Sequence, residues 1–179
     1  MVPTRVNPEL LAAPPVLVVM GVSGCGKSTV GARLADALGL EFVEGDAFHA
    51  PSNVAKMTSG LPLTDADRAD WLVLLAGKLA VAVRERQGVV LACSALKRAY
   101  RERLRTGAPQ LRLVHLTGAR DTLLERTTQR SAHYMPASLL DSQLATLEPP
   151  EAEENALTFD IGQEPDVIVI AVRRALVGN

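Results

Sequence analysis

Short apolar runs alternate with helical patterns along most of this chain. The runs are rich in β-branched residues, which is typical of strands buried in a parallel sheet. Between them, apolar residues recur every three or four positions, as on one face of a helix. The predicted strands are 16–20, 41–44, 89–93, 111–116 and 157–161. This alternation predicts an α/β fold, a three-layer sandwich in which helices cover both faces of a five-stranded parallel sheet.

Glycines and prolines mark where the helical segments begin and end. The predicted helices are 28–38, 52–57, 64–86, 94–105, 120–130, 137–147 and a last one that begins at Pro165. The last helix is predicted to pack through Val167, Ile170, Ala171 and Leu176. Two charged groups are interpreted as solvated surface. They are Arg101, Arg103 and Arg105 in the fourth helix, and the acidic segment that begins at 148–151.

Residues 21–28 spell G-x-x-x-x-G-K-S, directly after the first strand and at the start of the first helix. Glycines allow backbone angles that other residues resist and let N–H groups approach an anion closely. The positive end of the helix favours the same anion. Lys27 can reach the β- and γ-phosphates of ATP as a catalytic group, and the Ser28 hydroxyl can ligate Mg²⁺. The predicted ATP-binding residues are Gly21, Val22, Ser23, Gly24, Cys25, Gly26, Lys27, Ser28 and Thr29.

Composition narrows the class of partner. The 179 residues suit one domain, which we place at 15–179 after a flexible tail at 1–14. The near balance of 19 basic and 20 acidic residues, with 3% aromatics, argues against a nucleic-acid surface. The two cysteines give no disulfide framework, and no apolar stretch is long enough to span a bilayer. We expect a cytoplasmic protein that binds neither nucleic acid nor membranes.

A carboxylate and a histidine follow the second predicted strand, in Gly45-Asp46-Ala47-Phe48-His49. Asp46 is the candidate that orients an acceptor hydroxyl and takes its proton in phosphoryl transfer. It could instead hold Mg²⁺ through water, or be a turn aspartate after Gly45. His49 could donate to a substrate oxygen or pack as a structural histidine.

The third predicted strand leads into Cys93-Ser94-Ala95-Leu96-Lys97-Arg98. Ser94 could cap the basic helix or bind a substrate hydroxyl. Lys97 and Arg98 are predicted to lie in the first helical turn, where cations oppose the helix dipole and invite an anionic partner. An acidic substrate would supply that anion.

Two arginines, Arg126 and Arg130, precede a loop at 131–136. Arginines on a closing flap clamp the charge of a transferring phosphate and exclude water. We predict a lid at about 126–136 that carries these two as catalytic residues, with Arg126 also contacting the nucleotide. The alternative is a surface arginine paired with Glu125.

Several motifs together resemble the gluconate kinase family, one of the P-loop small-molecule kinases. The similarity extends over roughly residues 16–170, with the motifs in order. They are 21–28, 45–49, 53–57, 62–68 with Trp71-Leu72, 93–98 with Tyr100-Arg101, 133–136, 139–143 and 147–148. Cys25 stands where the family usually has serine, and Ser131-Ala132 replaces a commoner Lys-Gly pair before His133.

The resemblance implies ATP- and Mg²⁺-dependent transfer of the γ-phosphoryl group to the 6-hydroxyl of D-gluconate. It implies the fold of nucleoside-monophosphate kinases, with a lid, and a homodimer. Arg126 and Arg130 match lid arginines, and Gln163 falls beside the adenine. The residues that the resemblance and the charge pattern assign to gluconate are Asp46, His49, Arg68, Ser94, Lys97, Arg98 and His133.

Two other functions fit parts of the pattern. One is another small-molecule kinase of this fold, such as a shikimate or nucleotide kinase. The other is a nucleotide-dependent switch, but the N-K-x-D motif of GTPase-type switches does not occur in the sequence. Asp36-Ala37-Leu38-Gly39 spells D-x-x-G, yet its apolar pattern puts it at the end of a helix rather than after a strand.

Overall fold

The computed structural model describes residues 13–129 and 137–178. Five strands form one parallel sheet in the order β2-β3-β1-β4-β5. They are β1 Val16–Met20, β2 Glu41–Glu44, β3 Val89–Ala92, β4 Arg112–Thr117 and β5 Leu157–Asp160. The central strand β1 pairs with β3 on one side and β4 on the other, and every residue in it is buried. The predicted five-stranded α/β fold is confirmed, with each strand within one residue of its expected bounds.

Seven α-helices connect and cover the strands in the described residues. They are α1 Lys27–Leu38, α2 Pro51–Thr58, α3 Asp65–Arg84, α4 Arg98–Arg105, α5 Arg120–Thr128, α6 Ala137–Thr146 and α7 Pro165–Val177. Helix α1 packs on α7, and α3 packs on α4. Thr64 caps α3 through a reciprocal capping box with Asp67. No helix in the described ranges is both long and apolar enough to cross a membrane.

Helix α4 begins at Arg98, not at Ser94 as the sequence predicted. Ala95 has a φ of 43°, which takes the backbone out of a right-handed helix. The Arg101 guanidinium accounts for this bend, because its Nη1 donates to the carbonyls of Ala95 at 3.1 Å and Leu96 at 3.3 Å. Those carbonyls belong to residues that favour helices locally, so a tertiary contact overrides their propensity.

The packed face of α7 is also rotated from its predicted position. Val167 and Ile170 are 51% and 44% exposed, so the predicted face is wrong for both. The buried residues are Ile168, Val169, Val172 and Leu176. Apolar residues surround this helix at positions 167–172, so their period cannot fix which side faces the sheet. The contact with α1 decides it.

Arg101 is fully buried, which corrects its interpretation as part of a solvated face. Its Nε and Nη2 each donate to a carboxylate oxygen of Glu154 at 2.7 Å, and Glu154 is also buried. Glu154 is therefore not part of an open acidic surface. Hydrogen bonds from Arg101 lower the pKa of Glu154 to about 2, against the opposing effect of burial. This pair ties α4 to the segment that precedes β5.

Replacing Glu154 with glutamine should lower the free energy of unfolding by about 3 kcal/mol at pH 7, because Arg101 would stay buried without a counter-charge. The pKa of Glu154 lies below its ordinary 4.5, so its stabilising effect is complete above pH 4.5 and is lost as the pH falls through 2. The difference in the free energy of unfolding between Glu154→Gln and wild type should therefore be smaller at pH 3 than at pH 7. Urea denaturation at pH 7 and pH 3 measures it.

Glu153→Gln is the matched control for this variant. Glu153 bonds Arg98 but is exposed, so its replacement should change stability far less. Equal losses in the two variants, or a difference that does not narrow in acid, would contradict a buried, charge-paired Glu154.

Candidate active site

The loop between β1 and α1 has the backbone that its glycines predict. Gly24 has a φ of 81°, and a Cβ there would lie 2.7 Å from the Leu123 carbonyl oxygen of α5. Gly26 has a φ of 91° and is the N-cap of α1. Gly24 is required because a side chain would collide with α5 there. Both glycines are required because their φ angles are positive. The loop is thus packed closely against α5 at Gly24.

Lys27 is the first residue of α1, and its ammonium donates to the carbonyl of Val22 at 3.1 Å. That contact folds the side chain back over the loop. A cation held there lies where the amides of the loop and the positive end of α1 converge. The arrangement can bind and neutralise a polyphosphate.

Two pockets meet at this loop. The first is lined by Gly24, Cys25, Gly26 and Thr29 from the loop side, and by Arg126, Gln129, Ile161, Gln163, Pro165 and Ile168 opposite. Arg126 lies near the end of α5, where its Nη2 donates to the carbonyl of Ile161 at 2.9 Å. The structure therefore brings Arg126 and Gln163 to one wall beside the phosphate loop, where the sequence placed the nucleotide. Their roles stay predictions.

The second pocket contains most of the predicted acceptor residues. Ser23 and Lys27 line it from the loop, together with Asp46, His49, Arg68 and Ser94. The remaining wall comes from Met57, Pro62, Leu63, Leu96, Leu139, Ser142, Gln143 and Thr146. The predicted lid residues Arg130 and His133 lie outside the described residues.

Trp71 of α3 positions the turn that carries Asp46 and His49. Its Nε1 donates to the carbonyl of Gly45 at 2.8 Å, and its ring stacks on His49 with centroids 4.1 Å apart. Gly45 packs so closely on β3 that a Cβ would lie 2.4 Å from the Ala92 carbonyl oxygen. The turn is therefore fixed on two sides, with Asp46 exposed at the pocket. No local pattern around Trp71 indicates this role, although it is the single tryptophan of the chain.

Two buried nitrogens in this pocket have no hydrogen-bond partner among the described residues. They are Nδ1 of His49 and Nε of Arg68. A buried polar group without a partner is costly, so such atoms indicate where a ligand binds. The guanidinium of Arg68 also lies over the Tyr100 ring, 5.7 Å from its centroid. The pocket thus offers a positive charge with a free donor.

The surroundings of His49 favour its neutral form. Burial lowers its pKa below the ordinary value, Arg68 adds to this effect, and Asp46 opposes it. The His49 Nε2 lies 3.9 Å from the nearest Asp46 carboxylate oxygen. A neutral imidazole presents one donor and one acceptor, which suits the hydroxyl groups of a polyol.

The structure does not bring Lys97 and Arg98 into the pocket lining. Lys97 is the N-cap of α4, and its ammonium bonds both carboxylate oxygens of Asp65 at 2.7 and 2.8 Å. Those bonds, with a hydrogen bond from Tyr100, lower the pKa of Asp65. Ser94, four residues before α4, does not cap that helix, which excludes one of its two predicted roles. It lines the pocket, and its binding of a substrate hydroxyl stays a prediction.

Arg98 has intramolecular partners, contrary to the expectation that a substrate anion would sit at the start of α4. Its backbone amide donates to Glu148 at 2.6 Å, and its guanidinium bonds a group of carboxylates. They belong to Glu102, Glu151 and Glu153. The anion that the helix dipole favours is supplied by the chain itself, from residues far away in sequence.

No group of three or more potential metal-binding side chains occurs in the described ranges. Ser28 directly follows Lys27 in the first turn of α1, and its residue is exposed. Mg²⁺ usually keeps several waters and takes one or two protein oxygens plus substrate phosphates. The residues present therefore fit Mg²⁺ bound together with a nucleotide, with Ser28 as the protein ligand.

Several known proteins are similar to this chain in sequence and in structure. A family model described as an AAA domain matches residues 16–150. A gluconokinase of Gluconobacter oxydans (strain 621H) is 51% identical over 156 residues, which cover 87% of this chain and 88% of that protein. The crystal structure of a gluconokinase from Sinorhizobium meliloti 1021 is 49% identical, with a TM-score of 0.81, covering 92% of this chain and 91% of its own.

An unliganded sugar kinase from Janibacter sp. HTCC2649 is also similar, at 44% identity and a TM-score of 0.86. The match covers 92% of this chain and 95% of that one. Because these similarities extend over most of the chain, it belongs both to the AAA domain family and to the gluconokinases.

Proposed function

We propose that this protein is an ATP-dependent gluconokinase, which transfers the γ-phosphoryl group of ATP to the 6-hydroxyl of D-gluconate and releases ADP. One observation carries the proposal beyond the family match. The phosphate loop is shared by two pockets, one with Arg126 and Gln163 and the other with Asp46 and a buried, partly unpaired Arg68. A donor nucleotide and an acidic acceptor can thus meet at Lys27.

Transfer relies on positioning and on charge stabilisation, because the phosphoryl group needs little covalent help from the protein. Lys27 stabilises the charge on the transferring group. Asp46, fixed by the turn that Trp71 holds, orients the acceptor hydroxyl and accepts its proton. A carboxylate acts as the general base only for a hydroxyl within hydrogen-bond reach, and Asp46 lines the pocket in which the acceptor would bind.

Mg²⁺ is the implied cofactor, with Ser28 as its protein ligand. When bound, the ion neutralises part of the phosphate charge. The amides of Gly21, Ser23 and Cys25 donate to the chain itself, so the other amides of the loop would hold the phosphates. They can do so without the ion, because a loop of N–H groups at a helix N-terminus favours anions by itself.

Recognition of gluconate falls to the acceptor pocket. Arg68 donates to the carboxylate through its unpaired Nε, and neutral His49 and Ser94 bind hydroxyl groups. Lys97, which the sequence also assigned to gluconate, lies outside the pocket lining and is paired with Asp65. An uncharged sugar would leave Arg68 buried without a counter-charge, so charge selects the acid.

Further features complete the proposal. A lid at about 126–136 brings Arg126, Arg130 and His133 to the nucleotide and the acceptor, within a single domain at 15–179.

The protein acts in the cytoplasm as a homodimer. We place the dimer interface on helix α3, because Val73, Leu74 and Val81 are exposed along one stripe of it. Gly77 lies in the same stripe, with no atom near the position of a Cβ.

A coupled ADP-release assay with a panel of acceptors tests this function. D-Gluconate should give the fastest turnover, ahead of shikimate, nucleoside monophosphates and neutral sugars. Faster turnover on shikimate or on a nucleoside monophosphate would show that the chain is another kinase of this fold. Nucleotide binding without any acceptor-dependent turnover would favour a switch.

Replacing Arg68 with methionine should raise the KM for gluconate about 100-fold, because a charge-assisted hydrogen bond to the acceptor is lost. The KM for ATP should change less than about twofold, since Arg68 does not line the nucleotide pocket. The preference for gluconate over the neutral sorbitol should shrink as well. Steady-state kinetics with each substrate varied in turn measures these values.

Arg84→Met provides the control, because Arg84 lies on the same helix but is exposed and pairs with its neighbour Glu85. It should leave both KM values unchanged. If Arg68→Met keeps the wild-type KM for gluconate, the anion does not bind at Arg68.

A further inference from the structure

Gln143 of α6 is hydrogen-bonded directly to the phosphate loop. Its side-chain oxygen Oε1 accepts from the backbone N–H of Ser23 at 2.7 Å, across 120 positions of sequence. Both residues line the acceptor pocket, whereas Gly24, Cys25 and Gly26 line the nucleotide pocket. The Ser23 amide therefore faces the acceptor side, and Gln143 is its partner.

This contact fixes the orientation of the carboxamide. A backbone N–H can only donate, so the oxygen of Gln143 must face Ser23 and the amide nitrogen must point the other way. Among residues 13–129 and 137–178, no acceptor bonds Nε2 of Gln143. Gln143 is half-buried and lines the acceptor pocket, so its NH₂ group is available to a ligand bound there.

Helix α6 is braced independently of the phosphate loop. Asp141 accepts two bonds from the Arg120 guanidinium of α5, at 2.7 and 2.9 Å. After the helix, the Glu148 amide donates to Leu96 at 2.8 Å, and buried Arg101 donates to the Glu148 carbonyl at 3.0 Å. Gln143 therefore extends from a fixed helix, and its bond to Ser23 transmits that position to the loop.

We propose that Gln143 is a positioning residue that fixes the position of the acceptor relative to the phosphate loop. Its Oε1 accepts from the Ser23 amide, and its Nε2 donates to an acceptor hydroxyl. The proposal rests on the gluconokinase activity proposed above. Because Nε2 of Gln143 contacts the acceptor, loss of this side chain should slow transfer to the sugar acid more than it slows transfer to water.

The test compares Gln143→Met with wild type. Methionine has a similar length but makes neither hydrogen bond, so kcat/KM for gluconate should fall about 30-fold. ATP hydrolysis without gluconate should stay within about threefold of wild type. The 6-phosphogluconate formed per ADP released should therefore drop, which is a readout that general destabilisation would not give.

Two further variants keep the test decisive. Gln87→Met, at an exposed position beyond the end of α3, should behave as wild type. Gln143→Glu keeps an oxygen for the Ser23 amide but replaces the donor with a negative charge. It should retain the wild-type Tm and raise the KM for gluconate more than the KM for ATP.

Unchanged kcat/KM and coupling in Gln143→Met would overturn the proposal. The proposal would also be overturned if both Gln143 variants lost ATP hydrolysis and transfer to gluconate equally and had a lowered Tm. That result would show that the contact with Ser23 only stabilises the fold. Failure of the wild-type protein to phosphorylate gluconate would instead reject the proposed function, so the two failures are distinguishable.

Discussion

Replacing Lys27 with alanine will lower kcat for phosphoryl transfer about 1,000-fold or more, with the fold retained. The ammonium is held over the phosphate loop by the Val22 carbonyl at 3.1 Å, and Lys27 lines the acceptor pocket. Its removal takes away a charge that acts where negative charge is redistributed in the transition state. The loop backbone should persist, because Gly24 and Gly26 set its angles.

Single-turnover and steady-state measurements of ADP release quantify this loss, and circular dichroism verifies the fold. Lys78→Ala is the control. Lys78 is exposed on α3 with its ammonium 4.2 Å from the centroid of the Phe48 ring, outside both pockets that meet at the phosphate loop. A kcat for Lys27→Ala within about tenfold of wild type would remove Lys27 from the mechanism.

Replacing Asp46 with asparagine should lower kcat about 100-fold or more, the range expected when a general base is lost. The KM for ATP should change less than about threefold, since a group that acts on the acceptor contributes to the transition state rather than to nucleotide binding. Asparagine has nearly the same shape, so the turn held by Trp71 should remain in place.

Asp70→Asn serves as the control, because Asp70 is an exposed carboxylate on α3 away from both pockets. It should leave kcat and both KM values at wild-type levels. A loss of ATP affinity alone in Asp46→Asn would assign Asp46 to the metal, and no change at all would make it a turn aspartate.

The sequence predicted those parts of the site that depend on local patterns. The spacing of Gly21, Gly26 and Lys27 after a β-branched strand is sufficient for the phosphate loop, because the anion site is built from consecutive backbone groups. The strands were predictable for the same reason, since short buried runs between helices leave few alternatives. The predicted gluconate kinase family is confirmed by relatives that match most of the chain.

The errors occur where distant residues decide the outcome. The start of α4 depends on Arg101, whose carboxylate partner Glu154 is 53 residues away. Arg98 looked available for a substrate because its acidic partners at 148–153 do not follow from a local charge pattern. Charge pairs of this kind depend on tertiary packing, which periodicity does not describe.

Other features had a weak signal or none. The phase of α7 was undetermined because its residues 167–172 are apolar on every side. Gln143 was part of a recognised motif, yet nothing in its neighbours indicates a bond to Ser23 across the pocket. Such a role follows only from the folded arrangement of α6 beside the loop.

The most direct measurement is a crystal structure with a non-hydrolysable ATP analogue and D-gluconate bound together. We predict the terminal phosphate at Lys27 and the loop amides, the gluconate carboxylate at Arg68, and the 6-hydroxyl between Asp46 and that phosphate. Gluconate bound elsewhere, or bound here with its 6-hydroxyl directed away from the nucleotide, would contradict the account.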